Sequence, residues 1–119
     1  MSETVPEPCR TPVLDSSAGL LSTGGDPDLL NELVLIFIEI VPAQLATMKT
    51  AVATGDSTTA GREAHSLKGA AGALGALGIR KLAEDIEVLA RQGTLETAKP
   101  LVASIERLVT QLKEEHSAD

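Results

Sequence analysis

The sequence predicts an all-α fold, an antiparallel up-down four-helix bundle with a short additional helix at its N-terminal end. Three observations carry that reading. Aromatic residues make up 1% of the 119 residues, Phe37 being the sole one, against a hydrophobic share of 43%. A core so poor in aromatics is aliphatic and alanine-rich; Ala and Leu favour helix, whereas β-rich folds lean on aromatic and β-branched residues. Apolar residues recur at steps of three and four along most of the chain, and no segment alternates apolar and polar residues long enough to make a strand. The connections are short and carry glycine, which sets neighbouring helices antiparallel.

Residues 1–12 hold Pro6, Pro8 and Pro12 among small polar residues and read as a disordered tail, leaving 13–116 as one domain. Val13 to Leu21 reads as a short helix that starts near Asp15 or Ser16. Thr23-Gly24-Gly25-Asp26-Pro27 is a stop–start signal: the glycines end one element, Asp26 caps the next, and Pro27 fits the first helical position. The helix that follows is expected over about 27–54, with Val34, Ile38, Val41, Leu45, Met48 and Val52 on one stripe. Leu30, Leu33, Phe37 and Ile40 form a second stripe over its first half, so packing is expected on two sides there. Pro42 removes one backbone hydrogen bond inside this helix and should bend it. Gly55-Asp56 ends it, and Ser57 or Thr58 is the expected cap of the next.

That next helix is predicted over roughly 58–75, where Ala60, Ala64, Leu67, Ala71 and Leu74 make a tight seam of small and large residues. Gly75 and Gly78 mark a break. A helix over about 79–92 is expected to bury Ile79, Leu82, Ile86 and Leu89 and to end at Gly93. The last, from Leu95 or Ala98 to Glu115, is expected to bury Leu101, Val102, Ile105, Leu108, Val109 and Leu112. Pro100 suits a first turn capped by Thr97 and is costly if Thr94 is the cap.

Composition narrows the function. A net charge of −7 argues against nucleic acid and against an anionic membrane surface, both of which need clustered cations. The single cysteine, Cys9, lies in the tail without a partner, so neither a disulfide frame nor a metal cluster is expected. The longest unbroken apolar run, Leu33 to Ile38, is too short to span a bilayer, and no signal peptide is evident. A cytoplasmic setting is expected. A bundle-core metal site is not: the two histidines are far apart, and no Glu-x-x-His pair faces inward.

The segment Ala64-His65-Ser66-Leu67-Lys68-Gly69-Ala70-Ala71-Gly72-Ala73-Leu74-Gly75 concentrates the chemistry. At about 100° per residue, His65 lies roughly 140° from the apolar seam, with Lys68, Gly69, Gly72 and Arg62 within about 60° of it. The imidazole is therefore expected at the surface, with Gly61, Gly69 and Gly72 around it. Each helical glycine costs about 1 kcal/mol relative to alanine. Three on one exposed face suit close approach by another protein better than packing within this one. Imidazole at cellular pH is a nucleophile that forms a labile P–N bond, and Lys68 and Arg62 can neutralise phosphoryl oxygens. His116, in the polar C-terminal end, reads as a bystander that favours the helix dipole.

These residues resemble the histidine-containing phosphotransfer domains of bacterial multistep phosphorelays, whose pattern His-x-x-Lys-Gly followed by small residues and glycines is matched by His65 to Gly75. Leu20 to Leu30 and Leu89-Ala90-Arg91-Gln92-Gly93 are also similar, and the likeness covers about residues 13–113. It implies that His65 is phosphorylated through Nε2, that Lys68 assists at the phosphoryl group and that Gly69 leaves room for the partner. It implies an orienting residue on the next helix at Glu87, with Arg62 and Gly72 on the docking face. Many relay members carry Gln where this chain has Glu87, and chemotaxis-kinase phosphotransfer domains carry Glu.

The function implied is a phosphoryl carrier, not an enzyme in its own right; the single apolar seam and the acidic surface favour a monomer. It takes the group on His65 from the aspartate of a receiver domain and passes it to another. The partners implied are response-regulator receiver domains and a hybrid sensor histidine kinase. No cofactor of its own is expected, Mg²⁺ coming with the receiver. No nucleotide-binding glycine motif is present, so ATP should not be used directly. Two alternatives stay open: a module charged directly by a chemotaxis-type kinase, and a non-catalytic helical adaptor. A chain running from Met1 to Asp119 without a linker favours a free-standing protein over an excised piece.

Overall fold

The computed structural model describes residues 13–15, 19 and 23–117. Four α-helices follow one another: α1 (Pro27–Thr54), α2 (Ser57–Leu74), α3 (Leu77–Gln92) and α4 (Lys99–Ser117). A 3-10 turn, Leu95–Ala98, leads into α4. They pack as an antiparallel bundle, with α2 and α3 the most extensively joined pair. The tail 1–12 lies outside the described residues. So does most of the short helix expected over 13–21.

Local chemistry sets the helix ends. Asp26 caps α1, its carboxylate accepting from the backbone N–H of Asp28 and Leu29, and Pro27 follows at the first position. Gly55, Gly75 and Gly93 close α1, α2 and α3 in the left-handed conformation, which glycine adopts without steric cost. The cap of α2 is Asp56, whose carboxylate accepts from the Thr59 N–H at 3.1 Å. The expected Ser57 and Thr58 lie just inside the helix. Hydrogen bonding from Thr59, its side chain first and its backbone second, holds the Asp56 carboxyl below its usual value. Helix α1 runs unbroken through Pro42. Before α4 the chain resolves the ambiguity at Pro100 by making a tight turn first, so that Pro100 sits in the first turn of α4.

The seam of α2 is buried as expected: Ala60, Ala64, Leu67, Ala71 and Leu74 all lie in the core. On α3 the buried residues are Ile79, Ala83, Ile86 and Ala90, while Leu82 and Leu89 are only half-buried. The reason is closeness. A Cβ placed on Gly61 would sit 3.4 Å from Ala90 Cβ, so small residues fill the α2–α3 contact and the leucines flank it. Likewise Leu101 and Leu108 flank a core formed on α4 by Val102, Ile105, Val109 and Leu112.

On α1 the main stripe holds for Val34, Val41, Leu45, Met48 and Val52, with Ile38 half-buried. The second stripe is split. Leu30 and Phe37 are buried and Leu33 is half-buried, but Ile40 is exposed, as are Leu29, Leu35 and Ile36. By length and composition α1 is apolar enough to cross a membrane. In this fold its main stripe forms the bundle core, and Glu32 and Glu39 sit at its surface.

Among the described residues before α1, Val13, Asp15 and Gly19 lie against one end of the bundle. The Asp15 N–H donates to the Gly75 carbonyl at 2.7 Å, and the Val13 N–H reaches a carboxylate oxygen of Glu115 at 3.3 Å. Gly19 lies so near the end of α2 that an added Cβ would stand 2.6 Å from the Leu74 carbonyl oxygen.

Candidate functional site

Because Ala64 and Leu67 face the core, the residue between them at the next step round the helix must face out. The His65 side chain is 70% exposed. Its Nδ1 lies 2.9 Å from Oε2 of Glu87 on α3. The other oxygen, Glu87 Oε1, lies 2.8 Å from the ammonium of Lys68. One carboxylate thus joins the two α2 residues that are three apart in sequence. It does so from a sheltered position, 15% exposed, with Lys68 at 27%.

The Lys68 contact is the foremost cause holding the Glu87 carboxyl below its ordinary value. Burial opposes it, and the hydrogen bond with His65 adds to the lowering. An ionised carboxylate can only accept, so the proton of the His65–Glu87 bond sits on Nδ1. That fixes the tautomer: Nε2 carries the lone pair, and it has no partner among the described residues. The arrangement presents a nucleophilic nitrogen on an exposed ring whose orientation is set from behind.

The glycines divide into three cases. A Cβ at Gly69 would meet nothing within 4 Å. At Gly72 it would lie 3.3 Å from Arg80 Cδ, because the Arg80 stem runs over that glycine. At Gly61 it would press on Ala90. The expectation of three bare glycines facing a partner therefore needs correction. Gly61 serves the approach of α2 to α3, Gly72 is covered from α3, and Gly69 alone is open.

Arg62 is exposed and lines a cleft between α2 and α3 that Glu87 and Arg91 also line. Sequence reasoning did not single out Arg91 or Arg80. The signal for Arg91 was present, since it stands four residues after Glu87 and so on the same helical face. His116 turns its Nδ1 to the Leu112 carbonyl at 3.2 Å, far from His65 in the chain and within its own helix.

Comparison with known proteins follows the same line. A family model described as Hpt domain matches residues 32–115. The crystal structure of the HPT domain of a sensor hybrid histidine kinase from Shewanella superposes with a TM-score of 0.70 at 22% identity, covering 89% of each chain. At that identity the likeness speaks for the fold. No curated protein sequence matches. The matched span takes in α2, α3 and nearly all of α1 and α4, and on it the chain belongs to the Hpt domain family, phosphocarrier modules for histidine phosphotransfer in two-component phosphorelays.

Proposed function

We propose that this chain shuttles a phosphoryl group between receiver domains, with Nε2 of His65 as the carrier atom. The observation that carries this reading is the His65–Glu87 bond, which puts the proton on Nδ1 and leaves Nε2 exposed. In the forward step the Nε2 lone pair attacks phosphorus in line. The N–P bond forms as the bond to the aspartyl oxygen breaks, and that oxygen leaves as a carboxylate. The Nδ1 proton stays on the ring, where Glu87 balances the positive charge that develops. The reverse sequence delivers the group to a second receiver. Mg²⁺ is expected from the receiver, not from this chain.

Docking is assigned to the exposed side of α2 around Gly69 and to α1. Leu29, Ile36 and Ile40 are exposed and fall at steps of seven and four, which places them on one face of α1. An apolar surface of this kind suits a protein partner. Gly69, with open space above it, allows that partner's backbone near the imidazole.

Incubation with a phosphorylated receiver tests the reading. Wild type is expected to gain acid-labile, base-stable label, and His65→Gln none. Equal labelling of His65→Gln would refute it. Labelling by an ATP-charged chemotaxis-type kinase, with none from any receiver, would replace the receiver as donor.

A further inference from the structure

The charges already spoken for at the site direct attention one helical turn away. Lys68, the cation nearest His65 in the motif, is held 2.8 Å from Glu87, so this pair sums to zero. A phosphoryl group brings a charge of about −1.5 to −2. The ring, which keeps its Nδ1 proton, offsets about one unit of that charge, and the remainder is left to other cations on a chain whose net charge is −7.

A cleft of 320 Å³ opens beside Glu87, and Arg62 from α2 and Arg91 from α3 both line it. Its floor is the tight Gly61–Ala90 approach, which brings the two helices together and leaves the arginines on either side. Arg62 precedes His65 by three residues, and Arg91 follows Glu87 by four. Because α2 and α3 run antiparallel, both arginines lie on the same side of the His65–Glu87 pair, about one turn along. Both are exposed, and neither forms an ion pair or side-chain hydrogen bond among the described residues. Asp56 feels the field of Arg62 without contacting it. Guanidinium suits the role, since it is always charged and its fork matches phosphoryl oxygens.

We propose that Arg62 and Arg91 form an anion clamp for the phosphoryl group carried on His65, a role that rests on His65 being the carrier. In the resting state the clamp stands open while Lys68 stays with Glu87. On transfer the two guanidinium groups take up phosphoryl oxygens, and Glu87 keeps both the Nδ1 proton and Lys68.

The test uses the full chain and phosphoramidate, with no partner protein present. The donor's P–N bond breaks, ammonia leaves, and the Nε2–P bond forms. Loading is followed by ³¹P NMR, and the phosphoryl resonance is then titrated with pH. Arg62→Gln/Arg91→Gln is expected to load roughly tenfold more slowly than wild type. Its phosphoryl group should also titrate at a higher pH, by about half a unit or more, because nearby cations favour the dianion. Arg91→Lys should recover part of both effects. Unchanged loading and titration in the double variant, with circular dichroism as wild type, would overturn the clamp. So would unchanged loading and titration combined with weaker transfer to a receiver, which would assign the arginines to the partner's acidic surface. No label on wild type, or equal label on His65→Gln, would overturn the carrier reading itself and the clamp with it.

Discussion

Lys68–Glu87 joins α2 to α3, and Lys49–Glu106 joins α1 to α4, two clasps built from the same two residue types. Their settings differ. The first pair is 2.8 Å apart with side chains 27% and 15% exposed; the second is 3.3 Å apart with side chains 63% and 40% exposed. Water screens the outer pair and competes for both its members, whereas the inner pair is sheltered and its carboxylate has a second duty at His65. The difference teaches that an ion pair gains functional weight less from its charge than from what else its members hold. The Glu87 carboxylate also meets an imidazole, whereas the Glu106 carboxylate meets a lysine.

Breaking the inner clasp should have the largest effect. Glu87→Ala leaves a half-sheltered ammonium without its partner and the His65 ring without its anchor. A stability loss of about 1–2 kcal/mol is expected, below that of a fully buried pair because neither side chain is wholly enclosed. Urea unfolding measures it. Transfer from a receiver should fall further than stability does, since the Nδ1 proton is no longer fixed. A double-mutant cycle on Lys68 and Glu87 should show a larger coupling than the same cycle on Lys49 and Glu106.

The same clasp has a pH signature. The folded-state pKa of Glu87 lies below its ordinary value, so its contribution to stability is complete above the ordinary carboxylate range. That contribution is lost as pH falls through this range to the folded-state value. Wild type and Glu87→Gln should therefore differ in urea midpoint at neutral pH and converge as the solution is acidified. A constant difference down to pH 3 would contradict the assignment.

The open glycine gives a comparison within α2. Gly69→Ala adds a Cβ into empty space and removes a helix-interior glycine, so a gain of about 0.5–1 kcal/mol in stability is expected. Gly61→Ala has the same intrinsic gain offset by pressure on Ala90, and thermal melts should rank it below Gly69→Ala. Gly69→Arg should keep the fold and lose receiver transfer.

What the sequence made legible follows from periodicity and caps. The five-residue seam of α2 came from spacing alone, and with it the outward direction of His65. The Asp26–Pro27 start and the glycine stops were also readable. What periodicity does not encode is how two helices lie against each other. Which residues flank the α2–α3 contact depends on how closely the helices approach, so Leu82 and Leu89 were expected in the core where Ala83 and Ala90 are found. The covering of Gly72 by Arg80, the sharing of Glu87 between His65 and Lys68, and the pairing of Arg62 with Arg91 along one cleft are likewise facts of register between helices.

The smallest effect is expected at the outer clasp, where it is most diagnostic. Lys49→Ala removes a cation whose side chain is largely in water and leaves Glu106 able to hydrate. Exposed pairs contribute about 0.2–1 kcal/mol, and the released side-chain entropy offsets part of that. The urea midpoint should therefore move by the equivalent of about 0.5 kcal/mol or less, and His65 labelling should not move at all. A loss as large as that of Glu87→Ala would mean that the α1–α4 contact depends on charge. Apolar packing by Met48, Val52, Val102 and Ile105 would then be too weak to hold those helices. Both variants measured at low and high salt separate the two accounts, because only a screened surface pair loses its small contribution as ionic strength rises.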